Sequence, residues 1–103
     1  MQPDIVIVCD QSMLDDAGCK GVPDMVIEIL SPSNSRYDKI TKFSRYLKAG
    51  IIEYWIVDPV AKTLAVHILM DNNYITHIYS EKETAPVNVL KGCIIDLSEV
   101  FSN

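Results

Sequence analysis

Met25-Val26-Ile27-Glu28-Ile29-Leu30 is the stretch that decides the fold of this chain. Pro23 precedes it and Ser31-Pro32 ends it. A nearly unbroken apolar run between such breakers has the pattern of a strand buried on both faces, and therefore central in its sheet. Glu28 is the exception within the run. A carboxylate in an apolar strand carries a large desolvation cost unless a paired charge, hydrogen bonds or a metal compensates it. The run thus predicts both a core strand and a partner for Glu28.

Working outward, Ser31-Pro32-Ser33-Asn34-Ser35 is a turn-forming cluster whose serines and Asn34 suit a helix cap, with Asp38 near the positive end of the dipole. Tyr37, Ile40, Phe43 or Ser44, and Leu47 then recur at helical spacing, and Gly50 supplies the stop, which predicts a helix from about Tyr37 to Ala49. Ile51 to Val57 reads as a second core strand closed by Asp58-Pro59, so that strand, helix and strand make a crossover unit. Thr63 to Met70 and Tyr74 to Ser80 alternate as strands, and Asp71-Asn72-Asn73 between them predicts an antiparallel hairpin. Glu81 to Pro86 reads as polar loop, Val87 to Ile95 as one or two short strands broken at Gly92, and Asp96 to Phe101 as a terminal helical turn. On the N-terminal side, Ile5 to Val8 is a short β-branched strand, and Asp10 to Gly21 has the composition of a surface loop.

With 103 residues, 49% hydrophobic and 22% charged, the chain fits one globular domain with one core, residues 1–103. Its apolar runs fall far short of the ~20 residues that span a membrane, and Met1-Gln2-Pro3-Asp4 carries no basic leader pattern. A soluble, cytoplasmic protein is expected. Cys9, Cys19 and Cys93 form no C-x-x-C pair, which opposes a disulfide framework or a zinc site. A net charge of −5 opposes broad attraction to polyphosphate, so nucleic-acid binding must be local. The one dense basic stretch is Arg36, Lys39, Lys42, Arg45 and Lys48, within the predicted helix.

Period-two geometry puts Val26, Glu28 and Leu30 on one face of their strand and Asp4, Val6 and Val8 on one face of theirs. If the two strands are neighbours, Asp4 and Glu28 can meet and hold a hard cation such as Mg2+, which prefers oxygen ligands. Such an ion activates water and polarises a phosphodiester. Lys42, on the helix that follows, would stabilise the developing charge. Blander readings stand beside these: Glu28 and Lys42 as a buried ion pair that orients the helix, Asp4 as a strand-initiating residue, and Lys42 on a solvated face. His67 and His77 are expected to face each other across the hairpin, where a solvated face explains them better than a metal. Tyr54 and Trp55 are expected as core and rim residues rather than a stacking platform for bases.

The run Val22 to Ser33, then Asp38, Lys42, Tyr46 and Gly50, then Glu53-Tyr54-Trp55-Ile56-Val57-Asp58-Pro59, together with Gln2-Pro3-Asp4, closely resembles the Uma-two restriction-endonuclease family. The likeness runs more loosely through the hairpin to Ile95-Asp96-Leu97. It implies an α/β fold of the PD-(D/E)XK nuclease superfamily: a restriction-endonuclease-like mixed sheet with one main crossover helix and a C-terminal antiparallel hairpin. It implies that Asp4 matches the motif aspartate and Glu28 the second acid, that both bind Mg2+ or Mn2+, and that the Ile29 carbonyl adds a ligand. The E-x-K lysine of the superfamily is absent, because Leu30 stands in its place. The resemblance implies that Lys42, with Tyr46 one turn later, takes over from the following helix, and that the substrate is DNA. The helix and strand that normally precede the Gln-Pro-Asp strand in the family have no counterpart, so a truncated domain is expected, or one whose missing layer comes from a second copy in a homodimer. A silent interaction or dimerisation module on the same fold is the competing expectation.

Overall fold

The computed structural model describes residues 5–8, 14–15, 18–19, 23–30 and 36–102. In chain order they form β1 (Ile5–Val8), β2 (Leu14–Asp15), β3 (Gly18–Cys19), β4 (Met25–Ile29), α1 (Arg36–Ala49), β5 (Glu53–Asp58), β6 (Thr63–Met70), β7 (Asn73–Ser80), β8 (Thr84–Pro86), β9 (Ile94–Asp96) and α2 (Leu97–Val100). Five strands make the main sheet in the order β1-β4-β5-β6-β7. Strands β4 and β5 are parallel, joined through α1, while β1-β4, β5-β6 and β6-β7 are antiparallel. The sheet is thus mixed, with α1 as its crossover helix, and β4 has a neighbour on each side as its apolar sequence requires.

Register divides the side chains between two layers. Val26, Tyr54, His67 and Thr76 lie in one row across the sheet, and Glu28, Ile56, Ala65 and Ile78 in the next row of the same face. Helix α1 covers this face: Phe43 and Tyr46 pack with Val26, Ile51 and Tyr54. On the other face Met25, Trp55, Leu64 and Val66 pack against Ala85, Val87, Leu97 and Phe101 from the C-terminal segment. Tyr54 and Trp55 are both buried, one on each face, so neither is a rim residue. An apolar cavity of about 370 Å³ remains beside Met25, Trp55, Val87 and Cys93. Its lining is almost wholly apolar.

Helix α1 stops where its sequence says it should. Gly50 takes φ +82, its N–H donates to the Leu47 carbonyl at 3.1 Å, and the Ile51 N–H donates to the Tyr46 carbonyl at 3.2 Å. This is the Schellman arrangement, with Ile51 and Tyr46 supplying its apolar contact.

Several expectations are corrected. The hairpin turn is two residues, because Met70 pairs with Asn73 and both Asp71 and Asn72 have positive φ. That shifts the register by one from a three-residue turn, so His67 pairs with Thr76 and His77 with Val66, and the two histidines lie on opposite faces. The supposed loop at Glu81 to Pro86 contains β8, which pairs with β9, whereas residues 87–93 form turns held by a Val87 N–H to Cys93 carbonyl bond of 2.9 Å. The Asp10 to Gly21 stretch contains a small strand pair, β2 with β3. The predicted capping residues of α1, Ser31 to Ser35, lie outside the described residues.

Candidate active site around Glu28

Glu28 sits near the end of β4 with 2% of its surface exposed. Its partner is the one the sequence proposes: Lys42 Nζ donates to Glu28 Oε1 at 2.6 Å. Lys42 reaches the carboxylate from the middle of α1, and its side chain keeps 24% of its surface open. An ammonium between a buried carboxylate and solvent can serve a second anion without leaving the first. Alone, an uncompensated Glu28 would cost several kcal/mol in this environment.

The second carboxylate oxygen faces Tyr54, whose hydroxyl donates to Glu28 Oε2 at 3.4 Å. Burial, and then the negative charge of Glu28, push the Tyr54 phenol far above its ordinary value. Tyr54 therefore stays protonated and remains a donor at any working pH. Tyr46 packs edge-on against Tyr54 with ring centroids 4.8 Å apart. Its phenol is also raised, first by burial and then by Glu28, while Lys42 and Arg45 pull the other way. Glu28, Lys42, Arg45, Tyr46 and Tyr54 thus share one electrostatic neighbourhood at the sheet-helix boundary.

Of the predicted site residues, Glu28 and Lys42 are brought into contact. Ile29 follows Glu28 on β4, with its side chain lining the apolar cavity of the other face. Asp4 lies outside the described residues, although the next residue, Ile5, is the cross-strand partner of Glu28. The two strands expected to be neighbours are neighbours, but their register sets Ile5 opposite Glu28 and Val6 opposite Ile27, one residue out of step with the expected alignment of the Asp4, Val6 and Val8 positions with Glu28. Among the described residues no three His, Cys, Asp or Glu side chains converge to hold a metal ion. His67 is no ligand candidate: it is buried among Phe43, Tyr54 and Tyr74, with Nδ1 2.6 Å from the Thr76 hydroxyl, and burial lowers its pKa.

Sequence reasoning missed two residues. Tyr54 was read only as packing, because its contact with Glu28 depends on the parallel register of β4 and β5. Glu53, fully buried, has no role assigned to it by the sequence reading. Its carboxylate accepts from Trp55 Nε1 at 2.7 Å, the Val89 N–H at 3.0 Å, Asn88 Nδ2 at 3.1 Å and the Asn88 N–H at 3.2 Å. Its spacing of two from Trp55 is the signal that places both on one face of a strand.

The model of the Uma2 family, described as "Putative restriction endonuclease", matches residues 1–98. The chain belongs to the Uma2 family. The fold of this Uma2 chain is similar to the crystal structure of "a putative nuclease belonging to DUF820" from Anabaena variabilis ATCC 29413, with a TM-score of 0.71 and 22% identity. The match covers 90% of this chain and 55% of the other, so the Uma2 chain spans about half the length of that protein. None of the curated proteins matches it in sequence. No described helix is long and apolar enough to cross a membrane.

Proposed function

We propose that this chain is a DNA endonuclease domain that hydrolyses phosphodiester bonds with Mg2+ or Mn2+ held by Asp4, Glu28 and the Ile29 main-chain carbonyl. The observation that carries the reading is the buried Glu28 with Lys42 Nζ 2.6 Å away, delivered by the helix that directly follows its strand. An all-oxygen donor set suits a hard divalent cation far better than zinc. Glu28 alone does not make a site, so the proposal depends on Asp4 as the second acid.

A bound cation would supply Lewis acidity to a phosphoryl oxygen and lower the pKa of its water. The chain's own residues do the rest. Lys42 and Tyr54 fix the two oxygens of Glu28, so the carboxylate is held in one orientation and does not have to reorganise. The open part of Lys42 is positioned to meet the negative charge that grows on the phosphate in the transition state. A cytoplasmic location accompanies this reading. The test is nicking of supercoiled plasmid by the purified chain with Mg2+ or Mn2+. Glu28→Ala and Lys42→Ala should each abolish nicking, with circular dichroism confirming that they fold. Nicking that survives in both folded variants would remove these residues from the mechanism.

A second reading has an observation in its favour: both oxygens of Glu28 already have protein donors, as in a purely structural ion pair. In that reading the domain is a silent interaction module that assembles as a homodimer. Calorimetric titration with Mg2+ and light scattering separate the two, since the silent module predicts no heat of metal binding and a stable dimer.

A further inference from the structure

The chain is acidic overall, yet five of its nine basic residues, Arg36, Lys39, Lys42, Arg45 and Lys48, fall in the 14 residues of α1 beside a single acid, Asp38. Lys42 turns inward to Glu28. Arg45 and Lys48 are exposed, and neither is paired with a described carboxylate, whereas Lys62, in the turn between β5 and β6, is engaged by Glu81 at 3.7 Å. With Ile40, Thr41 and Ser44 they line an open groove of about 510 Å³ on the outer surface of the helix. A helix rises ~1.5 Å per residue, so Lys42, Arg45 and Lys48 span roughly 9 Å along its axis. That is a track leading away from Glu28, with Arg45 near enough to act on the phenol of Tyr46, which Glu28 also influences.

We infer that the outer face of α1, through Arg45 and Lys48 with the hydroxyls of Thr41 and Ser44, binds the sugar-phosphate backbone of duplex DNA. The argument is charge complementarity: cations and hydroxyl donors lie in an otherwise anionic molecule, on the helix that also delivers Lys42. It rests on the endonuclease reading and adds where the substrate lies. Because no base-reading side chain takes part, the contact is independent of sequence.

The test is fluorescence anisotropy of two labelled duplexes of unrelated sequence, titrated with the full chain in Ca2+, at salt concentrations between about 50 and 200 mM. Each phosphate contact contributes close to one unit to the slope of log affinity against log salt. Arg45→Gln with Lys48→Gln should therefore lower that slope by about two and weaken both duplexes alike, whereas Lys82→Gln with Lys91→Gln should change neither. Wild-type affinity and slope in the α1 double variant would overturn the inference. So would equal losses in the Lys82 and Lys91 control, because the attraction would then be diffuse. Either result leaves the endonuclease reading to be judged separately, by whether wild-type chain nicks plasmid and Glu28→Ala does not. A wild-type chain that binds neither duplex overturns this inference whatever the nicking assay gives.

Discussion

Glu53 and Glu28 lie on adjacent strands with 0% and 2% of their surfaces exposed, yet their surroundings assign them different work. Glu53 is enclosed by four donors, three of them from Asn88 and Val89, and so ties the C-terminal segment to the sheet. Nothing about it is open to a substrate. Glu28 has a single strong partner, Lys42, which is itself part-exposed, and one long contact to Tyr54. A buried carboxylate next to an accessible ammonium can take part in chemistry. Glu53→Ala leaves Trp55 Nε1 and the main-chain N–H groups of Asn88 and Val89 without acceptors, each costing ~1–3 kcal/mol. It should lower stability by about 3 kcal/mol or more in urea denaturation while leaving Glu28 and Lys42 in contact. A loss under about 1 kcal/mol would show that water replaces the carboxylate.

At the scale of the element, α1 joins three demands in 14 residues: an apolar face built on Phe43 and Tyr46, a lysine aimed at the sheet, and a basic outer surface. Its end is fixed by Gly50 at φ +82, where an added Cβ would meet no neighbouring atom within 4 Å. Gly50→Ala should therefore cost only the left-handed backbone strain of an L residue, about 1 kcal/mol. Gly50→Asn should cost less, since Asn tolerates that conformation. Chemical denaturation of both variants checks the order. Equal stability in all three would mean that Gly50 leaves the left-handed region once it carries a side chain. The β6-β7 hairpin teaches the complementary lesson: one residue fewer in its turn moved His77 to the opposite face from His67.

For the whole molecule, the two-faced sheet makes stability depend on pH through His67. Its folded pKa is lowered by burial under α1, below the ~6.5 of an unfolded histidine. Above that value both states are neutral and the packing contribution of His67 is complete. As pH falls below it, the unfolded chain takes up a proton that the folded chain refuses, so stability declines by at most about 1.4 kcal/mol per pH unit until the folded pKa is reached. His67→Phe should flatten this limb below about pH 6.5, measured by thermal unfolding across buffers. An unchanged limb would assign it to other groups.

The sequence by itself determined most of the local structure and half of the site. The apolar run at β4, the helical spacing and Gly50 of α1, and the strand before Asp58-Pro59 were legible because each follows from chain-local physics: periodicity, breakers and burial cost. The same physics demanded a partner for Glu28 and put Lys42 within reach. Only the tertiary structure decided that Tyr54 holds the other oxygen of Glu28, that Glu53 is a structural tie, that β8 pairs with β9, and that the two histidines part company. Each of these depends on register between segments or on contacts many residues apart. A shift of a single residue in register exchanges the two faces of a strand, and residue patterns along one strand do not fix that shift.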